Sequence, residues 1–303
     1  MQEWDEKMKT DGVREHELGF FQLDPIPSGG ELTSFYQSRY YDLLRQGGRA
    51  PEIRKLLDAQ GERQDELDWL QATLYQDVAD AIRQHVPQGG RLLDVGCGSG
   101  DLLEYLSSQG FSASGIEPST DATAIAVSRG LKVNTATLEN WAALPENKAS
   151  YDAITLMNVL EHVPDPLQVL ECLHSLLRPS GVLCFRVPND FTPLQAAAEN
   201  MGISRKQWWV AKPDHINYFS EESARASCAT VGLEVVDVTA DFPMEFFLLM
   251  GMNYIDEPQL GKQVHGMRRS LEMAMPTPMR QTLYRAFAEM GMGRNIMVTA
   301  KRQ

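Results

Sequence analysis

Leu92-Leu93-Asp94-Val95-Gly96-Cys97-Gly98-Ser99-Gly100 is the stretch on which the reading of this chain turns. An apolar run ends in glycines at alternate positions, and Asp101-Leu102-Leu103-Glu104-Tyr105-Leu106 then opens a helix. Glycine lacks a Cβ and tolerates positive φ, so a strand-to-helix turn of this kind lets a ligand reach bare backbone. The free N–H groups and positive end of the helix that follows suit a carboxylate or a phosphate. A second apolar strand, Phe111 to Ile116, ends in Glu117, about twenty residues on, where a doubly wound fold places a ribose-binding carboxylate.

The spacing of the glycines chooses between ligands. A dinucleotide-binding turn reads G-x-G-x-x-G, whereas this one reads G-x-G-x-G and runs directly into Asp101. A carboxylate there repels a pyrophosphate but tolerates a sulfonium or ammonium centre. A nicotinamide-dependent oxidoreductase is therefore disfavoured.

Working outward, the pattern from Arg91 alternates strand and helix, as a parallel sheet requires. Strands are expected near 91–96, 112–117, 131–135, 151–157, 181–187 and 233–239, with a last, antiparallel one over Asn295–Lys301. Ser119, Asp165 and Ser220 stand where helix N-caps belong, and Pro166 suits a first helical turn. Before the glycine turn, Leu67, Leu70, Leu74, Val78 and Ile82 make one apolar stripe and predict a helix over Asp65–Val86. Residues 1 to 30 lack periodicity. Phe35, Tyr36, Tyr40 and Tyr41 read either as core-packing aromatics or as part of a lid. Residues 241–293 hold nine of fourteen methionines. They carry two helical stripes, Leu260-Val264-Met267-Leu271-Met275 and Met279-Leu283-Phe287-Met290. This segment reads as a substrate-enclosing cap, a core extension or a dimer contact.

The totals narrow the class. A chain of 303 residues with 43% hydrophobic and 23% charged residues is ordinary for a globular protein. A net charge of −13 argues against a nucleic-acid backbone as the main partner. Cys97, Cys172, Cys184 and Cys228 show no C-x-x-C spacing and read as reduced thiols, which implies a cytoplasmic protein. No apolar run approaches the roughly 20 residues that span a bilayer. Met1–Thr10 has no apolar region of signal-peptide type, so no membrane partner is expected.

Asp94–Gly100 resembles motif I of the class I S-adenosylmethionine (SAM)-dependent methyltransferases. The resemblance continues through Gly115-Ile116-Glu117-Pro118-Ser119, Tyr151-Asp152-Ala153-Ile154, Asn158-Val159-Leu160-Glu161-His162-Val163 and Leu177-Arg178-Pro179-Ser180-Gly181. Asp214–Ser220 resembles the His-x-x-x-Phe-Ser/Thr stretch of ubiquinone-type methyltransferases. The resemblance implies an α/β, Rossmann-like, seven-stranded and mostly parallel sheet, and SAM as cofactor. It assigns Asp94, Gly96, Cys97, Gly98 and Gly100 to the methionine moiety, and Glu117, with Pro118, to the ribose. Thr137 and Leu138 fall in the adenine-contacting loop, and Met157 and Asn158 lie beside the transferred methyl.

On the acceptor side, His162, His215 and Glu161 are the candidate catalytic residues, as bases or as groups that position the acceptor. Trp208-Trp209 either line an acceptor pocket or pack. Asn158, Glu161 and His162 stand at i, i+3 and i+4, so one helical turn puts them on a common face. Glu161, His162 and His215 thereby resemble the divalent-metal motif of ubiquinone-type and small-RNA 2′-O-methyltransferases, although Asn158 replaces one carboxylate. No metal is the preferred expectation, with this trio as the alternative.

The expected organisation is an N-terminal extension or lid (1–64), a SAM-binding core (65–240), a helical cap (241–293) and a last core strand (294–303). The expected protein is a monomer or homodimer that methylates a small-molecule acceptor, at oxygen first. An N- or C-methyltransferase and a non-catalytic SAM-binding regulator are the alternatives.

Overall fold

The computed structural model describes residues 12–28, 30–31, 62–204 and 207–303. The expectation for Phe35–Tyr41 and most of the N-terminal extension lie outside the described residues. The described residues begin with two short strands, β1 (Val13–Glu15) and β2 (Phe21–Leu23). Helix α1 (Glu62–Leu70) continues through a π-helical stretch, Gln71–Tyr75, into α2 (Gln76–Arg83). The alternating part follows: β3 (Arg91–Val95), α3 (Asp101–Ser108), β4 (Ser112–Glu117), α4 (Thr120–Ser128), β5 (Val133–Thr135), α5 (Leu138–Ala142), β6 (Tyr151–Met157), α6 (Pro166–Leu176) and β7 (Leu177–Pro188). The remainder is α7 (Pro193–Asn200), β8 (Asn217–Tyr218), α8 (Glu221–Thr230), β9 (Leu233–Ala240), α9 (Glu245–Leu249), α10 (Pro258–Ala274), α11 (Thr277–Glu289) and β10 (Asn295–Arg302).

Seven strands form one sheet in the order β5-β4-β3-β6-β7-β10-β9. β5, β4, β3, β6 and β7 pair in parallel, and β10 runs antiparallel between β7 and β9. The crossovers leave from β3 in both directions, so β3 and β6 flank the crevice where a doubly wound sheet binds ligands. The expected caps form: Ser119, Asp165 and Ser220 each accept a backbone N–H in the first turn of their helix.

Two expectations need correction, and one stretch without readable periodicity forms strands. Among the described N-terminal residues, β2 lies between β1 and β8 in a small antiparallel sheet, with Phe21 opposite Tyr218. Strands this short carry no readable alternation, and the partner lies far along the chain. The stripe of the Asp65–Val86 helix is rotated by the π-helical turn, which inserts extra residues into the period. Leu67 and Leu74 are only half-buried, while Glu66, Trp69, Thr73 and Asp77 are buried.

The stripes of 241–293 are displaced as well. α10 buries Val264, Arg268 and Glu272, leaving Met267 and Leu271 exposed. α11 buries Arg280, Tyr284, Phe287 and Ala288, leaving Met279 and Met290 exposed. The physical reason is hydrogen bonding and ion pairing with α1 and α2. Trp69 Nε1 donates to Glu272 Oε2 at 2.7 Å, and Arg280 Nη2 to Asp77 Oδ1 at 2.9 Å. Buried charges paired with hydrogen-bonding partners can displace apolar side chains from an interface. Tyr284, Phe287 and Ala288 also join the main hydrophobic core, and α11 lies against β9.

Candidate active site

The glycine turn lies at the C-terminal end of β3. Gly96, Gly98 and Gly100 all have positive φ (69°, 53° and 86°). Gly96 N and Cys97 N donate to Ile116 O at 2.9 and 3.2 Å, which holds the turn against β4. A Cβ on Gly98 would meet nothing within 4 Å, so this point of the loop opens to free space. A Cβ on Gly100 would stand 2.4 Å from Leu131 Cδ1, so that glycine serves packing instead.

Glu117 closes the other side. Its Oε2 accepts from Gly98 N at 3.0 Å and its Oε1 from Ser119 N at 2.9 Å. Each oxygen keeps a further lone pair. Asp94 is buried beneath the turn and accepts from Thr155 Oγ1 at 2.7 Å. Burial, with the Glu117 charge adding to it, pushes Asp94 up to about 7 against the pull of Thr155.

Asp101 is not the bare charge its place in the sequence implies. Arg129 Nη1 lies 2.8 Å from Asp101 Oδ1, and Ser99 Oγ donates to Asp101 Oδ2 at 2.9 Å. Its repulsion of a pyrophosphate is thus largely cancelled. The remaining donor-side residues spread around the opening. The Cys97 thiol packs towards Gly115, 2.5 Å from where a Cβ on that glycine would stand, leaving its backbone to the turn. Pro118 is exposed beside Glu117. Thr137 Oγ1 is committed to capping α5 through Asn140 N, and Leu138 is buried in the core.

Across the crevice, β6 ends at Met157, and Asn158 adopts φ 55°, in the left-handed region. The chain then makes one 3-10 turn, Leu160–His162. The regular helical turn expected for Asn158-Glu161-His162 is therefore absent, yet Asn158 Nδ2 still donates to Glu161 Oε1 at 3.0 Å. Arg186 Nη1 donates to Asn158 Oδ1 at 2.7 Å. A guanidinium only donates, so the Asn158 oxygen faces Arg186, which takes one of its two lone pairs.

His162 Nδ1 sits 2.9 Å from Asp214 O and 3.2 Å from Asp214 Oδ1, and its Nε2 is 3.8 Å from Glu161 Oε1. Burial works against the imidazolium, but the Glu161 carboxylate and then Asp214 outweigh it and raise His162 to about 9. Burial raises Glu161 above the usual carboxylate range. His215 meets His162 edge-on at 5.1 Å between ring centroids. Among the described residues, Glu161, His162 and His215 bring one ligand atom each within 4.8 Å of one another. Glu161 Oε2 is buried without a hydrogen-bond partner, so the trio could accept a divalent ion. One carboxylate and two imidazoles suit a transition metal better than magnesium.

The segment carrying His215 is pinned by pairs that sequence reasoning missed. Ile216 N donates to Glu161 O, Asn217 Nδ2 to Leu160 O and Val163 O, and Gln22 Nε2 to Asn217 Oδ1. Arg186 and Asp241 were also missed, because neither stands in a recognisable motif.

The methyltransferase-domain family model matches residues 67–238. A ubiquinone biosynthesis O-methyltransferase of Vibrio campbellii is 37% identical over 107 residues, 33% of this chain and 45% of the relative. One from Xanthomonas axonopodis is 32% identical over 161 residues, 50% of this chain and 66% of the relative. The chain therefore spans less than half the length of the first of these relatives. Among solved structures, the Burkholderia thailandensis 1,6-didemethyltoxoflavin-N1-methyltransferase, with S-adenosylhomocysteine bound, superposes with a TM-score of 0.51. It is 13% identical, and the match covers 96% of this chain and 99% of that one, a likeness of fold.

Proposed function

The chain belongs to the methyltransferase-domain family, and on that premise we propose that it transfers a methyl group from SAM to an oxygen of a small-molecule acceptor. The observation that carries this reading is the paired arrangement of Gly98 and Glu117: an open glycine, joined by its own N–H to a carboxylate whose oxygens keep lone pairs for two ribose hydroxyls. Relatives named as O-methyltransferases support oxygen as the accepting atom. When bound, SAM supplies a methyl group already activated by its sulfonium charge.

The chain's own residues then bind the donor, orient the acceptor and take its proton. Gly96, Gly98 and Gly100 let the methionine moiety approach the backbone, and Glu117 orients the ribose. Thr137 and Leu138 border the adenine side, through backbone and packing rather than through the committed Thr137 hydroxyl. Met157 and Asn158 border the methyl. On the acceptor side a hydroxyl must lose its proton, and a positioned base accelerates that step. His162, at about 9, holds its own proton near neutral pH. It therefore orients the acceptor as a cation, with Glu161 as its counter-charge, and His215 is the base. Alignment of the two reactants supplies several kcal/mol of the barrier reduction.

Among the described residues no helix is long and apolar enough to cross a membrane. The free cysteines support a cytoplasmic location. Calorimetric titration with SAM, S-adenosylhomocysteine and NAD tests the proposal. Binding of the first two and not the third is expected, and binding of NAD alone would sink it.

A further inference from the structure

Arg129 stands at the C-terminal cap of α4, yet its guanidinium reaches into the glycine turn. Its Nη1 donates to Ser99 O at 2.7 Å and lies 2.8 Å from Asp101 Oδ1. Its Nη2 donates to Glu104 Oε2 at 2.6 Å, but Glu104 is exposed and that pair is worth little. The Asp101 side chain is only 6% exposed, so its charge depends on the partners around it.

Packing keeps the guanidinium in place. A Cβ on Gly100 would stand 2.4 Å from Leu131 Cδ1 and 3.4 Å from Ala126 Cβ, so the end of α4 closes tightly on the turn. At the other end of α4, Ser119 N donates to Glu117 Oε1. The helix therefore braces the cofactor turn from both of its ends.

Asp101 opens α3, and Gly100 before it has no side chain with which to cap that helix. The first N–H groups of a helix lack intrahelical acceptors, and the dipole there favours an anion. Both Asp101 oxygens face partners in the loop: Oδ1 faces Arg129, and Oδ2 accepts from the Ser99 hydroxyl. SAM has one anionic group, the carboxylate of its methionine moiety, and the glycine turn receives that moiety. A bare Asp101 would repel this carboxylate at a partly buried place, where salt screens little. Arg129 supplies the cancelling charge.

We propose that Arg129 is a positioning residue for the cofactor. By neutralising Asp101 and tying Ser99 O, it lets the start of α3 accept the carboxylate of the methionine moiety. This rests on the methyltransferase reading and divides the donor site in two. Glu117 serves the ribose, Arg129 governs the amino-acid end, and α4 links them.

The test compares S-adenosylhomocysteine with 5′-methylthioadenosine, which keeps the nucleoside and the sulfur but has no amino-acid group. Both are titrated calorimetrically. Arg129→Met is expected to weaken S-adenosylhomocysteine binding at least about tenfold while leaving methylthioadenosine binding within about twofold. Arg129→Lys keeps a charge opposite Asp101 and should lose less than Arg129→Met. Adding Asp101→Asn to Arg129→Met removes the uncovered charge and should restore most of the lost affinity, a coupling between the two positions. A merely structural role for Arg129 would weaken both ligands alike and would show no recovery in the double variant. Either result overturns the proposal, and so does tighter S-adenosylhomocysteine binding by Arg129→Met, which would mean that the ammonium faces Asp101. Failure of the wild-type protein to bind S-adenosylhomocysteine would instead overturn the methyltransferase reading.

Discussion

Arg186 joins Asn158 to Asp241: one guanidinium nitrogen donates to Asn158 Oδ1 at 2.7 Å and the other to Asp241 Oδ2 at 2.8 Å. Asp241 Oδ2 also accepts from Arg268 Nη2 at 3.0 Å, and Arg268 Nε from there reaches Glu272 Oε1. A continuous run of charged hydrogen bonds thus leads from Trp69, through α10, to Asn158 and Glu161. The candidate active site is held by the same contacts that hold the inserted helices.

Asp241→Ala should therefore destabilise the protein by about 3–5 kcal/mol, the cost of removing one partner from a buried ion pair. Burial raises the Asp241 carboxyl, but Arg268 and Arg186 outweigh burial and hold it below its usual 3.8. Its contribution is present above that pH and is lost as pH falls through the lower folded value. Urea unfolding of both proteins at pH 7 and in acid measures this, and the difference should shrink in acid.

Glu117→Ala should weaken SAM binding by about 1.5–3 kcal/mol, the scale of hydrogen bonds to a charged group. The same carboxylate ties Gly98 N and Ser119 N, so the turn loosens locally while the core strands remain. Unchanged affinity by calorimetry would remove Glu117 from the ribose site.

His162→Ala and His215→Ala should lose turnover and keep SAM affinity. His162 also contributes to stability, because its folded value of about 9 exceeds the ordinary 6.5. That contribution is complete below 6.5 and is lost as pH rises through about 9. The difference in melting temperature between wild type and His162→Ala should then narrow from pH 6 to pH 10. A constant gap would mean that the Glu161–His162 pairing does not set the protonation state.

Turnover should survive extensive EDTA treatment. Asn158 stands where the metal motif this stretch resembles has a carboxylate, which leaves Glu161 as the one charged ligand of the trio. Loss of activity restored by manganese or zinc, matched by elemental analysis, would instead make Glu161, His162 and His215 a metal centre.

The strand-helix alternation, the glycine turn and the Glu117 strand end were readable in the sequence, because they depend on local periodicity and on residues whose backbone preferences act within a few positions. The strand order, with β10 antiparallel between β7 and β9, follows the family pattern that those motifs resemble. The turn at Asn158 and its carboxylate contact were half readable: the spacing brought Glu161 close, but a left-handed residue replaced the expected helix. The rest was decided by the tertiary structure. Leu271 looks like a core residue and Glu272 like a surface one, yet Glu272 is fully buried, because Trp69, Arg268 and Tyr284 all donate to it. Hydrophobic patterning reports the environment a side chain has on average. A buried charge is set by partners such as Asp241 for Arg268 and Asp77 for Arg280, which approach only when distant segments fold together.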